Sequence, residues 1–432
     1  MYGNTVKRVL VGTDIQSNLP MRSASPVISL YGTAVNGEYS AIEFSKEMLT
    51  QGTLLLGETG SGKTYCLKKM VRELRKSLPA KYSMVIVQAK NDFNECVAES
   101  DYVIEQGRNS EHSVHWNLFR DILKDGYEDN MVELNTREFI AHLFADKKDQ
   151  KEQFFVDGAR ELLYCVIVSY IRSGKTNLHA RMRLTNKGLR DFFLQYDIEA
   201  YKELLEKSGE PGVLKMILGD GKDNLQALGV YGELVTTVLN TLVDIFAMEG
   251  DFSVREFVDN KKGKALFINY DPAYRDSQVK IYCSLIKFVL KETLSQNASK
   301  GNVILVCDEL PTMGRTDIAE AVNLGRAKGL ISILGVQSIA QLYSIYGEFD
   351  GKKLLSGMCS KFYFRPNDPL TRQYMIEDFG KVIAEYMVLS PGGTSVERRE
   401  GMVLEDTDVI RMQTGDCYVK CAKGDMFQFH FE

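Results

Sequence analysis

The chain has 432 residues, of which 44% are hydrophobic and 26% charged, and its formal net charge is −5. Such a chain has room for about two or three domains, and its composition is that of a globular protein rather than a disordered or fibrous one. No apolar run approaches the roughly 18 residues of a membrane span, and no basic region precedes an apolar stretch at the N-terminus, so we expect neither a transmembrane segment nor a secretory signal.

Cysteine usage and charge narrow the class of protein further. The eight cysteines are scattered without a C-x-x-C pair, which favours a reduced, cytoplasmic protein without a zinc site. The mildly acidic charge counts against extended duplex binding by a monomer, although it leaves open a ring whose channel alone is basic.

The first elements along the chain predict a nucleotide-binding unit that follows a β-rich N-terminal segment at residues 1–50. Residues 53–56 form a short apolar run typical of a buried parallel strand. Residues 65–78 have apolar positions at helical spacing. Between them lies the G-x-x-x-x-G-K-[ST] phosphate-binding motif, namely Gly57, Glu58, Thr59, Gly60, Ser61, Gly62, Lys63 and Thr64.

This motif predicts how a nucleotide is bound. Gly60 and Gly62 permit backbone angles that a Cβ would forbid, so that the backbone N–H groups can wrap the phosphates. We expect Lys63 to reach the β- and γ-phosphates and the Thr64 hydroxyl to bind Mg²⁺, while the helix N-terminus adds its positive dipole end. The alternative is a glycine-rich turn that merely precedes a helix.

Helical patterns dominate residues 126–261 and predict an all-α insertion domain within an α/β domain that spans residues 51–125 and 262–432. Strands that alternate with helices in those two parts predict a mostly parallel, doubly wound sheet. Within the insertion, residues 173–176 repeat the end of the phosphate-binding motif, but Ser169 stands where its first glycine belongs, so we reject a second site. Residues 172–190 carry six Lys or Arg and no acid. They either contact DNA phosphates or form a solvated loop and helix face.

Two acids follow the apolar run at residues 303–307, where a buried strand would end. Asp308 can hold Mg²⁺ there, usually through water, and Glu309 can orient and deprotonate an attacking water. A helix N-cap is the alternative for Asp308. Farther along, Arg326 lies in a Gly-Arg-Ala-Lys-Gly stretch, and Gln337 ends the next predicted strand, where it can sense hydrolysis through hydrogen bonds. The alternatives are a surface arginine and a capping glutamine.

These segments resemble the TraG/TraD/TrwB-type coupling ATPases of conjugation, which are type IV secretion coupling proteins within the wider FtsK/HerA group of ring translocases. The resemblance is carried by residues 308–311 (DELP), 325–329 (GRAKG), 334–342 (LGVQSIAQL), 115–119 (HWNLF) and 415–420. It covers roughly residues 50–125 and 250–432. It implies a RecA-like P-loop NTPase fold, ATP and Mg²⁺ as cofactors, and a hexameric ring in which Arg326 is an arginine finger for the neighbouring subunit.

Two departures from the family pattern bear on this expectation. Family members usually carry N-terminal transmembrane helices, and no such segment is predicted here. The strand after the phosphate-binding helix often ends in Asp-x-Lys-Gly-Glu/Asp in the family, whereas residues 88–92 are Gln-Ala-Lys-Asn-Asp. The first departure puts membrane anchoring in doubt and leaves the ATPase core untouched.

The resemblance implies an ATP-driven DNA translocase that moves single-stranded DNA, or a relaxase–DNA complex, toward the components of a type IV secretion channel. We expect it in the cytoplasm, with any recruitment to the inner face of the membrane left to a partner. Two alternatives stay open at this point: a HerA-like translocase of duplex DNA in repair or defence, and a protein-secretion ATPase without nucleic-acid contact.

Overall fold

A computed structural model describes residues 6–13, 15, 18–20, 22–78, 80–89, 91–105, 110–144, 153–195, 199, 225–271, 275–390 and 393–432. The strands in these ranges are β1 (Val6–Val11), β2 (Ile28–Ala34), β3 (Tyr39–Phe44), β4 (Thr53–Leu56), β5 (Tyr82–Gln88), β6 (Tyr102–Ile104), β7 (Lys264–Asn269), β8 (Asn302–Cys307), β9 (Leu330–Val336), β10 (Ser360–Tyr363), β11 (Lys381–Ser390), β12 (Gly393–Met402), β13 (Asp416–Lys420) and β14 (Met426–His430).

The helices in the same ranges are α1 (Lys46–Leu49), α2 (Lys63–Ser77), α3 (Leu118–Ile122), α4 (Asp129–Leu143), α5 (Gln153–Thr176), α6 (Leu178–Met182), α7 (Asn186–Gln195), α8 (Leu225–Thr241), α9 (Val254–Asn260), α10 (Arg275–Ser295), α11 (Ile318–Gly325), α12 (Ile339–Tyr346), α13 (Glu348–Gly357), α14 (Pro369–Phe379) and α15 (Asp406–Ile410). The chain packs into two compact units. The first takes in the described parts of residues 1–98, 261–264 and 294–432, and the second those of residues 99–260 and 265–293.

The first unit is built on a sheet whose strands follow the order β3-β2-β14-β13-β10-β4-β9-β8-β5. The five strands from β10 to β5 are parallel, and the remaining neighbours pair antiparallel. Every residue of those five parallel strands is buried. Apolar runs without alternation are typical of parallel strands covered on both faces, and the sheet confirms the predicted α/β class.

Two further features complete the first unit. The N-terminal strands β2 and β3 extend the main sheet through β14. Strands β1, β11 and β12 form a separate three-stranded antiparallel sheet. The carboxyl ends of β4, β8, β9 and β10 meet at one edge of the main sheet, where ligands of open α/β sheets bind.

The second unit is mostly helical and contains the parallel pair β6–β7. Its interior holds a buried carboxylate, Asp121, which accepts hydrogen bonds from Trp116 Nε1 at 2.5 Å, Ser253 Oγ at 2.6 Å and Arg255 N at 2.8 Å. Burial raises the pKa of Asp121, and these hydrogen bonds oppose that rise. Through Asp121, the network links Trp116, the single tryptophan of the chain, to Ser253 and Arg255 at the start of α9.

The predicted boundaries of the N-terminal segment and of the helical insertion stay a prediction. In the described part of residues 126–261 the regular elements are helices, yet the second unit also takes in residues 99–125 and 265–293. None of the helices in the described ranges combines the length and the apolar character needed to cross a membrane.

Candidate nucleotide-binding site

The phosphate-binding motif forms a loop between β4 and α2 that is fixed to both neighbouring strands. Gly57 N donates to Val336 O at 3.2 Å, and Glu58 N donates to Arg365 O at 2.8 Å. The φ angle is 114° at Gly62 and 79° at Gly60, a region in which a Cβ is strained. A Cβ on Gly57 would lie 2.7 Å from Phe364 Cβ. The three glycines are therefore required by the loop path itself.

Lys63 begins α2, and its side chain curls back over the loop. Its Nζ donates to Gly57 O at 2.6 Å and to Glu58 O at 3.2 Å, and the residue is only 6% exposed. The ammonium group and the first N–H groups of α2 thus place positive charge at the loop. This arrangement suits the phosphates of a nucleotide.

Thr64 and Asp308 meet across the sheet edge. Thr64 Oγ1 donates to Asp308 Oδ1 at 3.1 Å, although the two residues are 244 positions apart. Asp308 directly follows β8 and is 7% exposed. A hydroxyl and a carboxylate beside a phosphate-binding loop are the oxygen ligands with which proteins hold Mg²⁺.

Glu309 lies next to this pair and is 8% exposed. Burial raises the pKa of its carboxyl group to about 7, although the charge of Lys63 and a hydrogen bond from Gln337 act in the opposite direction. That hydrogen bond joins Gln337 N to Glu309 Oε1 at 3.2 Å. A carboxylate with a pKa near neutrality can exchange a proton with water at physiological pH.

Gln337 follows β9 and lines a cleft of about 310 Å³ beside the loop. Glu58, Thr59, Asn367 and Asp368 also line this cleft. The structure therefore brings together five of the predicted catalytic and metal-binding residues, namely Lys63, Thr64, Asp308, Glu309 and Gln337.

Arg326 is the predicted site residue that the structure leaves apart. It begins the 3₁₀ turn Arg326–Lys328 after α11 and is exposed. Among the described residues, its guanidinium has no side-chain hydrogen bond and no ion pair. A role for Arg326 in its own subunit therefore has no support from the geometry, and its role toward a neighbour stays a prediction.

Comparison with known proteins decides the family. Residues 37–424 match the type IV secretion-system coupling protein DNA-binding domain. The chain belongs to this coupling-protein family. Coupling protein TraD of Escherichia coli (strain K12) is 25% identical over 136 residues, which are 30% of this chain and only 19% of TraD.

Solved structures of the plasmid coupling protein TrwB share the fold of this family member. The complex of TrwB with the ATP analogue ADPNP and the complex with ADP and Mg²⁺ each match with a TM-score of 0.70 and 19% identity. Both matches cover 100% of this chain and 94% of the TrwB chain. They confirm the predicted resemblance and the predicted RecA-like α/β fold with its helical domain.

Two residues at this site were not predicted from the sequence. Arg365 follows β10, and its Nε donates to Glu58 Oε1. Gly335 lies in β9, where a Cβ would be 2.0 Å from Asp308 O. Neither residue belongs to the motif, but each had a signal: Arg365 follows a predicted strand of the parallel sheet, and Gly335 is a glycine inside a buried strand, which marks a close backbone approach.

Most of the Lys and Arg side chains at residues 172–190 make hydrogen bonds or ion pairs within the helical unit. Arg190 donates to Leu239 O at 2.9 Å, Arg181 to Gly174 O at 2.9 Å, and Lys175 to Tyr127 O at 3.2 Å. Arg172 and Lys187 pair with Glu133 and Asp191. Of the six cations, Arg183 is the one without such a contact among the described residues, so the arrangement favours a structural role for most of the stretch.

Proposed function

We propose that the chain is the ATP-hydrolysing subunit of a ring motor that moves single-stranded DNA, or a relaxase–DNA complex, toward a type IV secretion channel. The observation that carries this proposal is the convergence of Lys63, Thr64, Asp308 and Glu309 at one sheet edge. Membership of a family described by its DNA-binding domain supports the nucleic-acid cargo. The TrwB complexes with ADPNP and with ADP and Mg²⁺ support ATP and Mg²⁺ as the ligands.

The residues present fit a magnesium nucleotide. The positive-φ glycines leave the loop open to phosphate oxygens, since no atom lies within 4 Å of a Cβ placed on Gly60. When bound, ATP supplies the phosphoryl group and Mg²⁺ neutralises its charge. Lys63 and the loop N–H groups would bind the phosphates, while Thr64 and Asp308 would hold the cation.

Glu309 acts as the base in this proposal. Its carboxylate orients a water and accepts its proton, and burial keeps the pKa of the group near 7, where it exists in both protonation states. The hydrogen bond from Gln337 N positions the carboxylate and links the end of β9 to Glu309. We expect the Gln337 segment to move upon hydrolysis, because it is bonded to the residue that takes up the proton.

Arg326 completes the site from a neighbouring subunit. Its exposure and the lack of a side-chain partner within the described chain leave its guanidinium available to another copy. An arginine finger stabilises charge on the transferring phosphoryl group and is worth about 10³-fold or more in rate. A hexameric ring of cytoplasmic subunits, recruited to the membrane by a partner, places each Arg326 at the next subunit's loop.

DNA-dependent ATP hydrolysis tests the proposal. We expect wild-type turnover to rise with single-stranded DNA more than with duplex DNA of equal length, and to rise steeply with protein concentration as rings assemble. Lys63→Ala serves as the background control, because it removes the charge that binds the phosphates. Preferential stimulation by duplex DNA would favour a HerA-like translocase, and indifference to all nucleic acid would favour a protein-secretion ATPase.

A further inference from the structure

Arg365 and Glu58 form an ion pair at the edge of the phosphate-binding loop. The backbones of the two residues are joined, since Glu58 N donates to Arg365 O at 2.8 Å. The side chains are joined as well, since Arg365 Nε donates to Glu58 Oε1. The two residues are 307 positions apart, so it is the tertiary structure that brings Arg365 to this loop residue.

The carboxylate of Glu58 is unfavourable for a polyphosphate ligand if nothing neutralises it. Glu58 and Thr59 line the cleft beside the loop, and the side chain of Glu58 is 21% exposed. Like charges repel more strongly in a partly buried site than in bulk water. A γ-phosphate bound at the loop therefore repels the Glu58 carboxylate and competes with it for the neighbouring guanidinium.

Arg365 has hydrogen-bond donors that the ion pair does not use. The contact with Glu58 runs through Nε, and among the described residues no partner engages Nη1 or Nη2. A guanidinium presents five N–H donors in a planar fork that fits carboxylate and phosphate oxygens alike. The side chain of Arg365 is 36% exposed and contacts Glu58 of the loop, so the fork has room to reorient toward a ligand bound at the loop.

We propose that Arg365 is a phosphate-recognition residue of its own subunit, which exchanges Glu58 for the terminal phosphate when a nucleoside triphosphate binds. In the nucleotide-free protein Glu58 holds the guanidinium at the loop. A diphosphate leaves the pair intact, because it has no γ-phosphate to compete with the carboxylate. The inference rests on the proposed binding of ATP, but it is independent of DNA movement and of Arg326.

Calorimetric binding of ADP and of a non-hydrolysable ATP analogue, both with Mg²⁺, tests the exchange on the full chain. Arg365→Ala is expected to weaken binding of the analogue about 10- to 100-fold, as for loss of a charged hydrogen bond, and that of ADP less than about threefold. Glu58→Gln is expected to tighten binding of the analogue, since it removes a competing negative charge. The double variant should bind the analogue more weakly than Glu58→Gln alone, because the phosphate contact is lost in both backgrounds.

Arg372→Ala is the matched control. Arg372 lies in α14 of the same unit and pairs with Asp406 at 3.2 Å, so its loss should leave both affinities unchanged. The melting temperature of nucleotide-free Arg365→Ala should also change little, since partly exposed ion pairs contribute little stability.

Four outcomes would overturn the inference. Equal weakening of both nucleotides by Arg365→Ala would remove the selectivity for the terminal phosphate. A double variant that binds the analogue as tightly as Glu58→Gln would mean that Arg365 only neutralises the Glu58 carboxylate and does not contact the phosphate. Failure of the wild type to bind either nucleotide would overturn the proposed function as well, whereas wild-type binding with an indifferent Arg365→Ala would overturn this inference alone.

Discussion

Gly335→Ala is expected to separate nucleotide binding from hydrolysis. Gly335 lies in β9, and a Cβ placed on it would be 2.0 Å from the backbone oxygen of Asp308 at the end of β8. Real Cβ atoms essentially never approach another atom closer than 3.0 Å, so the two strand ends must move apart by about 1 Å. Both partners are backbone or Cβ atoms, and no flexible side chain can absorb the shift.

Because a hydrogen bond from Gly57 N to Val336 O holds β9 to the loop, the displacement falls on β8 and on the hydrolytic residues that follow it. Asp308 and Glu309 continue from the strand that moves, and Gln337 N holds Glu309 from the other strand. A misplacement of about 1 Å can cost about 10²-fold in turnover, while overpacking of this kind destabilises the fold by about 1–3 kcal/mol. The affinity for ATP should fall by less than tenfold, because Lys63 and the loop are carried by β4 and α2.

The assay is steady-state ATP hydrolysis together with nucleotide binding and thermal unfolding of the same samples. The control is Gly232→Ala in α8, where no atom lies within 4 Å of the added Cβ. This substitution should leave turnover unchanged and raise stability by up to about 1 kcal/mol. Turnover of folded Gly335→Ala within twofold of the wild type would refute the argument that the strand contact sets the position of Asp308 and Glu309.

Three further predictions concern charge. Glu309→Gln should bind ATP normally and lose about 10²- to 10⁴-fold in turnover, because the amide cannot accept the proton of water; near-normal turnover would remove Glu309 from its role. Arg326→Ala should bind ATP yet hydrolyse it very slowly, and mixing it with Lys63→Ala should restore part of the activity at junctions that pair an intact finger with an intact loop; no recovery in co-assembled rings would count against a finger acting in trans. Burial raises the pKa of Asp378, but Lys361 and its other partners outweigh burial and hold that pKa below its ordinary value. The resulting stability is present above the unfolded carboxyl pKa of about 3.9 and is lost as pH falls below it, so urea unfolding should show Asp378→Asn less stable than the wild type by about 1–3 kcal/mol at pH 7, with a difference that shrinks at pH 3.

The individual parts of the site follow from local sequence. The strand, the phosphate-binding loop and the helix appear where predicted, as β4, residues 57–64 and α2. Each depends on neighbours in sequence: an apolar run, glycines at positive φ and buried positions such as Leu67, Met70 and Leu74 at helical spacing. The two acids after β8 could also be predicted, because an apolar run that ends in two carboxylates is a local pattern.

Which strand ends meet depends on the packing of the whole sheet and cannot be read from any one segment. The parallel strands are buried along their whole length and largely apolar, so their sequences carry no regular alternation that would specify a neighbour or a register. The order β10-β4-β9-β8 arises from packing of the whole sheet. It places Asp308 beside Thr64, sets Gly335 against the Asp308 backbone and brings Arg365 to Glu58 across 307 positions of chain, a pairing that no local pattern contains.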